Sequence, residues 1–491
     1  MTRVLLVNPV DKTQISSRLG VKAPPLGLMY LASSLEKNAF SVKIVDANLR
    51  NMESTEVAGA AKSEKPDIVG LYAPTATIKT AIQCVNEIKR AVPDCFTIIG
   101  GPHASSLPVE TLRMSSALDS VCIGEGERTI VEIAELFSRR DSADWLANVD
   151  GIAYRKRSLG DDGIRMTQPR AFIEDLDSLP FPARHLVPFS EYKVLSKNSS
   201  IGNMITSRGC TFSCSYCSSS HLMGGMFRAR TPSNVVDEIE ELKLRYGVQT
   251  IEFIDDNFVL NKKRAMEIAQ EIKSRGLDID FLASSRVDTI SRELLGALKK
   301  AGLSTIYYGV ESGSQRVLNL MHKGIELQKA EDAIKAAKEK DVKTLASFII
   351  GYPGESVEEM RRTIDFAVAL DPDYAQFSVL TPYPGTPIYE ELKKSDLIAT
   401  QDWDRYTALE PVIRYEKLGL SAKAVSRMLR NAYIRFYLRP GYLLHRADMI
   451  RTIFHTIMSG YILPALQRKS AGGWYRSFIH PRRSDELASC R

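Results

Sequence analysis

Three cysteines stand within eight residues, Cys210-x3-Cys214-x2-Cys217, behind a Gly209 that frees the backbone to turn. Three thiolates in one short loop can hold three corners of a four-iron four-sulfur cluster, and the missing fourth ligand leaves one iron open to a molecule from outside. The spacing differs from the C-x2-C pairs of zinc ribbons and from ferredoxin runs, which supply a fourth cysteine. The alternatives are a zinc site completed by His221, or three incidental thiols. Cys84, Cys95 and Cys122 are scattered among helix and strand positions and read as core thiols, and Cys490 has no assigned role. Seven cysteines in 491 residues are too few and too unevenly placed for a disulfide framework.

Other groups able to do chemistry recur just after short apolar runs. Ile254-Asp255-Asp256-Asn257, Ser285-Arg286-Val287-Asp288, Gly309-Val310-Glu311-Ser312-Gly313, Gly351-Tyr352-Pro353-Gly354-Glu355 and Tyr383-Pro384-Gly385-Thr386-Pro387 follow the cysteines in that order. Upstream, Gly100-Gly101-Pro102-His103 and Gly124-Glu125-Gly126-Glu127 occupy equivalent places.

The elements that must position these groups alternate strand with helix. Apolar runs at Val4–Val7, Val42–Val45, Ile68–Leu71, Phe96–Ile99 and Val121–Ile123 are separated by helical patterns such as Leu28–Leu35 and Ile78–Val92. Strands that are apolar on both faces predict a parallel sheet covered by helices, a doubly wound α/β domain over residues 1–140, with ligands beyond the carboxyl ends of its strands. Residues 141–198, rich in Asp, Arg and Gly and then in Pro, read as a linker with at most one hairpin. Six further strands over 199–400, at Met204–Thr206, Thr250–Ile254, Phe281–Ala283, Thr305–Tyr308, Leu345–Ile349 and Ala375–Val379, predict an open, incomplete (βα)6 barrel. Residues 401–491 read as a helical region rich in Arg and aromatics.

The segment Arg208-Gly209-Cys210-Thr211-Phe212-Ser213-Cys214-Ser215-Tyr216-Cys217, with an aromatic before the last cysteine, resembles the motif of radical S-adenosylmethionine (SAM) enzymes, and the ordered strand-end motifs match that family in sequence. The resemblance implies that the open iron chelates SAM and that Tyr216 belongs to the cluster loop. It implies that Asp255 or Asp256 accepts from the SAM ammonium where many relatives carry Gly-Gly-Glu, and that Arg286 meets the carboxylate. Glu311 and Ser312 would meet the ribose or methionine part, and the Gly351–Gly354 backbone the adenine. Glu311 or Arg286 could instead form an intra-barrel ion pair, and Asp255 could cap the next helix.

The N-terminal motifs, with Pro24-Pro25-Leu26-Gly27-Leu28 before the first helix, resemble the cobalamin-binding domain fused to one branch of that family. Gly100, Gly101, His103, Gly124 and Glu125 then become cofactor-binding candidates; the alternative is an ordinary flavodoxin-like domain with tight turns. Domains that ligate cobalt through histidine carry Asp-x-His-x-x-Gly after the first strand, but this loop reads Asn8-Pro9-Val10-Asp11-Lys12-Thr13. The departure implies a cobalt whose lower face is open or water-bound, with His103 a turn residue. Arg435-Phe436-Tyr437-Leu438-Arg439-Pro440 resembles the tail of relatives near the anaerobic magnesium-protoporphyrin monomethyl ester cyclase and the hopanoid-modifying branch.

Composition sets the outer bounds. The chain is 44% apolar and 25% charged, ordinary for globular protein, and its net charge of +6 excludes a nucleic-acid-sized field. Between Ser421 and Arg491 thirteen Lys and Arg face three Asp and Glu, so residues 1–420 carry a net −4. Such a basic, aromatic tail suits an anionic membrane surface, a lid, or a solvated helical face. No apolar run reaches the length of a membrane span, and the expected location is the cytoplasm, peripheral at a membrane if the tail binds lipid.

The expectation is a cobalamin-dependent radical SAM enzyme that takes hydrogen from an unactivated carbon of a hydrophobic small molecule and C-methylates it. It would be supplied by a flavodoxin- or ferredoxin-type electron donor, with no nucleic acid partner. An oxidative or ring-forming cyclase of tetrapyrrole or isoprenoid-lipid type, and a non-catalytic cobalamin or redox sensor, are the alternatives.

Overall fold

A computed structural model describes residues 2–11, 22–139, 144–156, 163–192 and 201–445. Two compact units divide at Phe436 and Tyr437. The larger holds both sheets.

The first sheet has the order β2-β1-β3-β4-β5-β6-β7, with β1 Arg3–Asn8, β2 Ser41–Asp46, β3 Ile68–Tyr72, β4 Phe96–Gly100, β5 Ser120–Cys122, β6 Ile152–Arg155 and β7 Ile164–Met166. The first five are parallel, the doubly wound arrangement expected for 1–140, and β6 and β7 add an antiparallel edge. The hairpin allowed for in the linker is thus the outer edge of this sheet. Val4, Leu6, Ile98 and Cys122 face one apolar layer and Leu5, Val7, Ile99 and Val121 the other, which is why these runs are apolar throughout.

The second sheet is a six-stranded parallel array, β15-β14-β13-β12-β11-β8, built from β8 Ile201–Met204, β11 Thr250–Phe253, β12 Asp280–Arg286, β13 Leu303–Glu311, β14 Lys343–Ile350 and β15 Tyr374–Val379. It is the expected open barrel. A short antiparallel hairpin, β9 Ser207–Arg208 with β10 Arg228–Ala229, pairs Arg208 with Arg228 and carries the cysteines between its strands. The helix Val357–Leu370 opens with a capping box, Ser356 and Glu359 bonding each other's backbone N–H.

Residues 401–421 differ from the helical reading. They form short 3-10 turns around an isolated bridge between Ile398 and Ile413, and regular helix begins at Ala422. Trp403, Tyr406 and Val412 bury into the core of the first sheet, so aromatic residues there fasten the barrel's trailing segment to the first domain. In the smaller unit the helix Pro440–His445 is described, with Arg439 over the Tyr442 ring at 5.1 Å. Phe454, Tyr461, Trp474, Tyr475, Phe478 and Cys490 of the basic tail lie outside the described residues, as do Lys12 and Thr13. Among the described residues no helix is long and apolar enough to cross a membrane.

Candidate active site

The cysteine loop leaves β9 through Gly209 at φ +85°, where a side chain would collide with the Met226 carbonyl. Cys214 is buried and Cys210 and Cys217 are half-buried. Backbone N–H groups of Phe212 and of Ser219 and Ser220 hydrogen-bond the sulfurs of Cys210 and Cys217, although burial raises both thiol pKa values. Among the described residues no three His, Cys, Asp or Glu side chains converge on one metal ion. Three sulfurs on one loop, each offered N–H or guanidinium donors, fit a larger anionic iron–sulfur group.

Arg286 supplies one of those donors, Nη1 lying 3.7 Å from Cys214 Sγ. Its guanidinium is stacked 3.6 Å from the centre of the Phe212 ring and held by both oxygens of Asp288, at 3.0 and 2.9 Å.

The two acidic residues after β11 part company. Asp255 is buried and accepts from Thr206 N–H at 2.7 Å and from the Thr206 and Ser207 hydroxyls at 2.5 Å each; burial still raises its pKa. It ties the end of β8 to the root of the cysteine loop. Asp256 is exposed and accepts from Gly209 N–H at 3.2 Å, which leaves it the one with an open face beside the cysteines.

At the end of β13 the strand slips register between Gly309 and Glu311, and Glu311 adopts φ +71°. A left-handed non-glycine residue at a strand end stores backbone strain. The Glu311 carboxylate meets Lys323 Nζ at 2.9 Å, both groups buried, and Tyr216 OH lies 3.3 Å from the same ammonium. Burial, with Glu311 nearby, pushes the Tyr216 phenol well up. Lys323 escaped the sequence reading: its only signal is a lone basic residue before the turn glycine Gly324. The arrangement closes one buried cation on one buried anion beside the cysteine loop.

Ser312 is fully buried, its hydroxyl 3.1 Å from that of Thr363 and accepting from Ser314 N–H at 3.1 Å, so it fastens the turn after β13 to the helix Val357–Leu370. Gly351 and Gly354 both have positive φ, 79° and 82°. The Gly351 N–H donates to Glu355 Oε2 at 2.7 Å and its carbonyl accepts from Tyr415 OH at 2.7 Å. Tyr352 OH reaches Ser215 Oγ at 2.7 Å, joining this loop to the cysteines.

On the first sheet, Gly100, Gly101, Gly124, Glu125, Gly126 and Glu127 line a cavity of 340 Å³ beyond the carboxyl ends of the strands; its other wall is Ile205, Arg208, Met223 and Ile254 of the barrel side. Leu6 of β1 and Leu71 of β3 line it too, at the point where strand order reverses. Gly124 has φ +78° and open space where a side chain would stand, while a Cβ at Gly126 would press Leu31 at 3.1 Å. A glycine-lined, largely apolar cradle fits a bulky cobalamin ring. His103 does not line it. The ring is buried beside Thr75 Oγ1 at 3.3 Å and edge-on to Trp403 at 4.9 Å, and burial lowers its pKa to about 4. Glu125 lines the cavity with its carboxylate engaged by Arg208 and Arg228.

Residues 204–367 match the Radical SAM superfamily and residues 15–134 the B12 binding domain. An uncharacterised methyltransferase of Pyrococcus horikoshii is 39% identical over 90% of this chain and 94% of its own length. The anaerobic magnesium-protoporphyrin IX monomethyl ester cyclase of Cereibacter sphaeroides is 30% identical over 85% of this chain and 67% of its own. The radical SAM methyltransferase TsrM of Kitasatospora setae, solved with cobalamin and a [4Fe-4S] cluster bound, has the same fold: TM-score 0.67 at 22% identity, over 80% of this chain and 78% of that one.

Proposed function

The chain belongs to the radical SAM superfamily, in the branch that carries a B12-binding domain, and from that premise we propose that it C-methylates an apolar small molecule. The observation that carries the reading is the shared cavity: strand-end glycines of the first sheet and the roots of the cysteine loop face one another across it. When bound, the cluster, SAM and cobalamin supply one-electron reduction, hydrogen abstraction and methyl donation.

The residues of the chain bind, orient and exclude water. Cys210, Cys214 and Cys217 are the iron ligands. Lys323 offers its ammonium to the SAM carboxylate, with Arg286 reinforcing the positive field beside Cys214. Glu311 and Asp256 are the acceptors for the SAM ammonium, and the backbone of the Gly351–Gly354 turn, open at Gly354 and braced at Gly351 by Glu355 and Tyr415, is the platform for the adenine. Asp255 and Ser312 hold the loops that present these groups. Exposed Ile254, Met226 and Leu320 near the cysteine loop favour an apolar substrate. Reduction calls for an external donor of flavodoxin or ferredoxin type.

Anaerobic reconstitution with iron, sulfide, SAM and cobalamin, followed by turnover on lipid and pigment extracts of a deletion strain, tests the reading. S-adenosylhomocysteine accumulating together with 5′-deoxyadenosine is expected. 5′-Deoxyadenosine alone would favour the oxidative cyclase, and absence of SAM cleavage would sink both enzymatic readings. The basic tail is proposed to contact anionic lipid: full-length protein should co-sediment with anionic but not neutral liposomes, and a chain truncated after Phe436, where the larger compact unit ends, with neither.

A further inference from the structure

Glu125 closes the base of the cysteine loop. Its Oε1 accepts from Arg208 Nη1 at 2.7 Å and from Arg228 Nη1 at 2.8 Å; its Oε2 accepts from Arg228 Nη1 at 2.9 Å and from Ile173 N–H at 2.7 Å. Those four contacts use about all the lone-pair positions a carboxylate has. Arg208 and Arg228 are register partners in the β9–β10 hairpin, the two points where the chain enters and leaves the loop bearing Cys210, Cys214 and Cys217. The second arm of Arg208 reaches Glu127 Oε1 at 2.5 Å. Two guanidiniums and two carboxylates balance in charge, with side chains 4–8% exposed, where screening is weak and an unpartnered member is costly.

Both carboxylates come from the first domain, and both arginines from the strands that carry the cysteines. Glu125, Glu127 and Arg208 also line the cavity between the two sheets, and the residue before Glu125 is Gly124, whose N–H is held by Ser105 Oγ at 3.0 Å. The Gly124–Glu127 loop therefore touches the cobalamin cradle on one side and the foot of the cysteine loop on the other. Aromatic faces fix the arginines: Arg228 lies over Phe172 at 4.8 Å and Arg208 over Tyr30 at 5.6 Å.

We propose that Glu125 is a positioning residue that clasps both ends of the cysteine loop, so that filling the cobalamin cradle stabilises the iron–sulfur cluster and the cluster in turn tightens cobalamin. The inference rests on the cofactor assignment above. A coupling between two binding sites is reciprocal, and a clasp shared by both sites is the kind of contact that carries one.

The test uses full-length protein prepared anaerobically with and without reconstituted cluster, and with and without hydroxocobalamin. In the wild type, cobalamin is expected to slow iron loss to a chelator, and the cobalamin dissociation constant should be about tenfold smaller with the cluster present. In Glu125→Gln, which keeps the shape and removes the charge, both ratios should fall toward one. The reduced cluster should still give the SAM-dependent change in its electron paramagnetic resonance spectrum. Arg228→Gln, which frees one strand of the hairpin and spares the Arg208–Glu127 pair, should behave alike, and the double variant should lose no more than either single one; it also decides the matter if Glu125→Gln does not fold. Ratios unchanged in the folded variants, or close to one in the wild type, would overturn the clasp. A wild type that holds the cluster but takes up no cobalamin would overturn the cofactor assignment and the clasp together.

Discussion

Burial moves two side chains across the same pH range in opposite senses. Glu355 is enclosed in the turn after β14, accepts from the Gly351 and Tyr352 N–H groups at 2.7 and 3.1 Å, and has no partner at Oε1, so burial raises its pKa from 4.5 to about 7. Its favourable contribution is complete below about pH 4.5 and is lost as pH rises to about 7. His103 is held neutral, lowered from 6.5 to about 4, so its contribution is complete above pH 6.5 and is lost as pH falls toward 4. Each difference is worth about 3 kcal/mol, and the two nearly cancel in the native protein. Glu355→Gln should therefore gain stability relative to wild type as pH rises through this range, and His103→Gln as pH falls. Urea unfolding from pH 4.5 to 7 measures both, and a Glu355→Gln curve parallel to the wild type would refute the assignment. At this scale the sequence was most informative about the cysteines, because their spacing is itself the chemistry. It was least informative about Lys323, whose partner Glu311 is on another element and whose role exists only once the turn after β13 brings them to 2.9 Å.

The strands were legible because burial on both faces demands unbroken apolar runs. The register slip between Gly309 and Glu311 and the two-residue hairpin β9–β10 were not, since neither leaves a periodic signature. Gly209 shows how closely that hairpin is drawn. Its φ of +85° and the Met226 carbonyl facing it exclude a side chain. Gly209→Ala should cost about 1–3 kcal/mol in backbone strain alone, and the loop should respond by opening. The purified variant is expected to retain less iron than the wild type after identical reconstitution while binding cobalamin in the first domain; equal iron content would show that the hairpin adapts.

Over the whole molecule, the segment after the barrel returns to the first domain. Trp403 packs against His103 and Tyr406, with ring centres at 4.9 and 4.8 Å, and Lys79 pairs with Asp402 and Asp404. Deleting a buried tryptophan costs about 3–5 kcal/mol, so Trp403→Ala should lower the urea midpoint by a corresponding amount. It should also admit water to His103, moving that imidazole from about 4 back toward 6.5 in an NMR titration. An unmoved His103 would mean that the depression comes from other neighbours.

By itself the sequence determined the two βα modules, their order, and the cysteine loop, because apolar periodicity and ligand spacing are local properties. The tertiary structure decided what the acidic residues do. Asp255 is bound into a support, Asp256 is left open, and Glu125, a cofactor-binding candidate by resemblance, lines the cavity with its carboxylate bound to Arg208 and Arg228. A carboxylate's role depends on which cations and N–H groups reach it, and in this chain those partners come from elements far away in sequence.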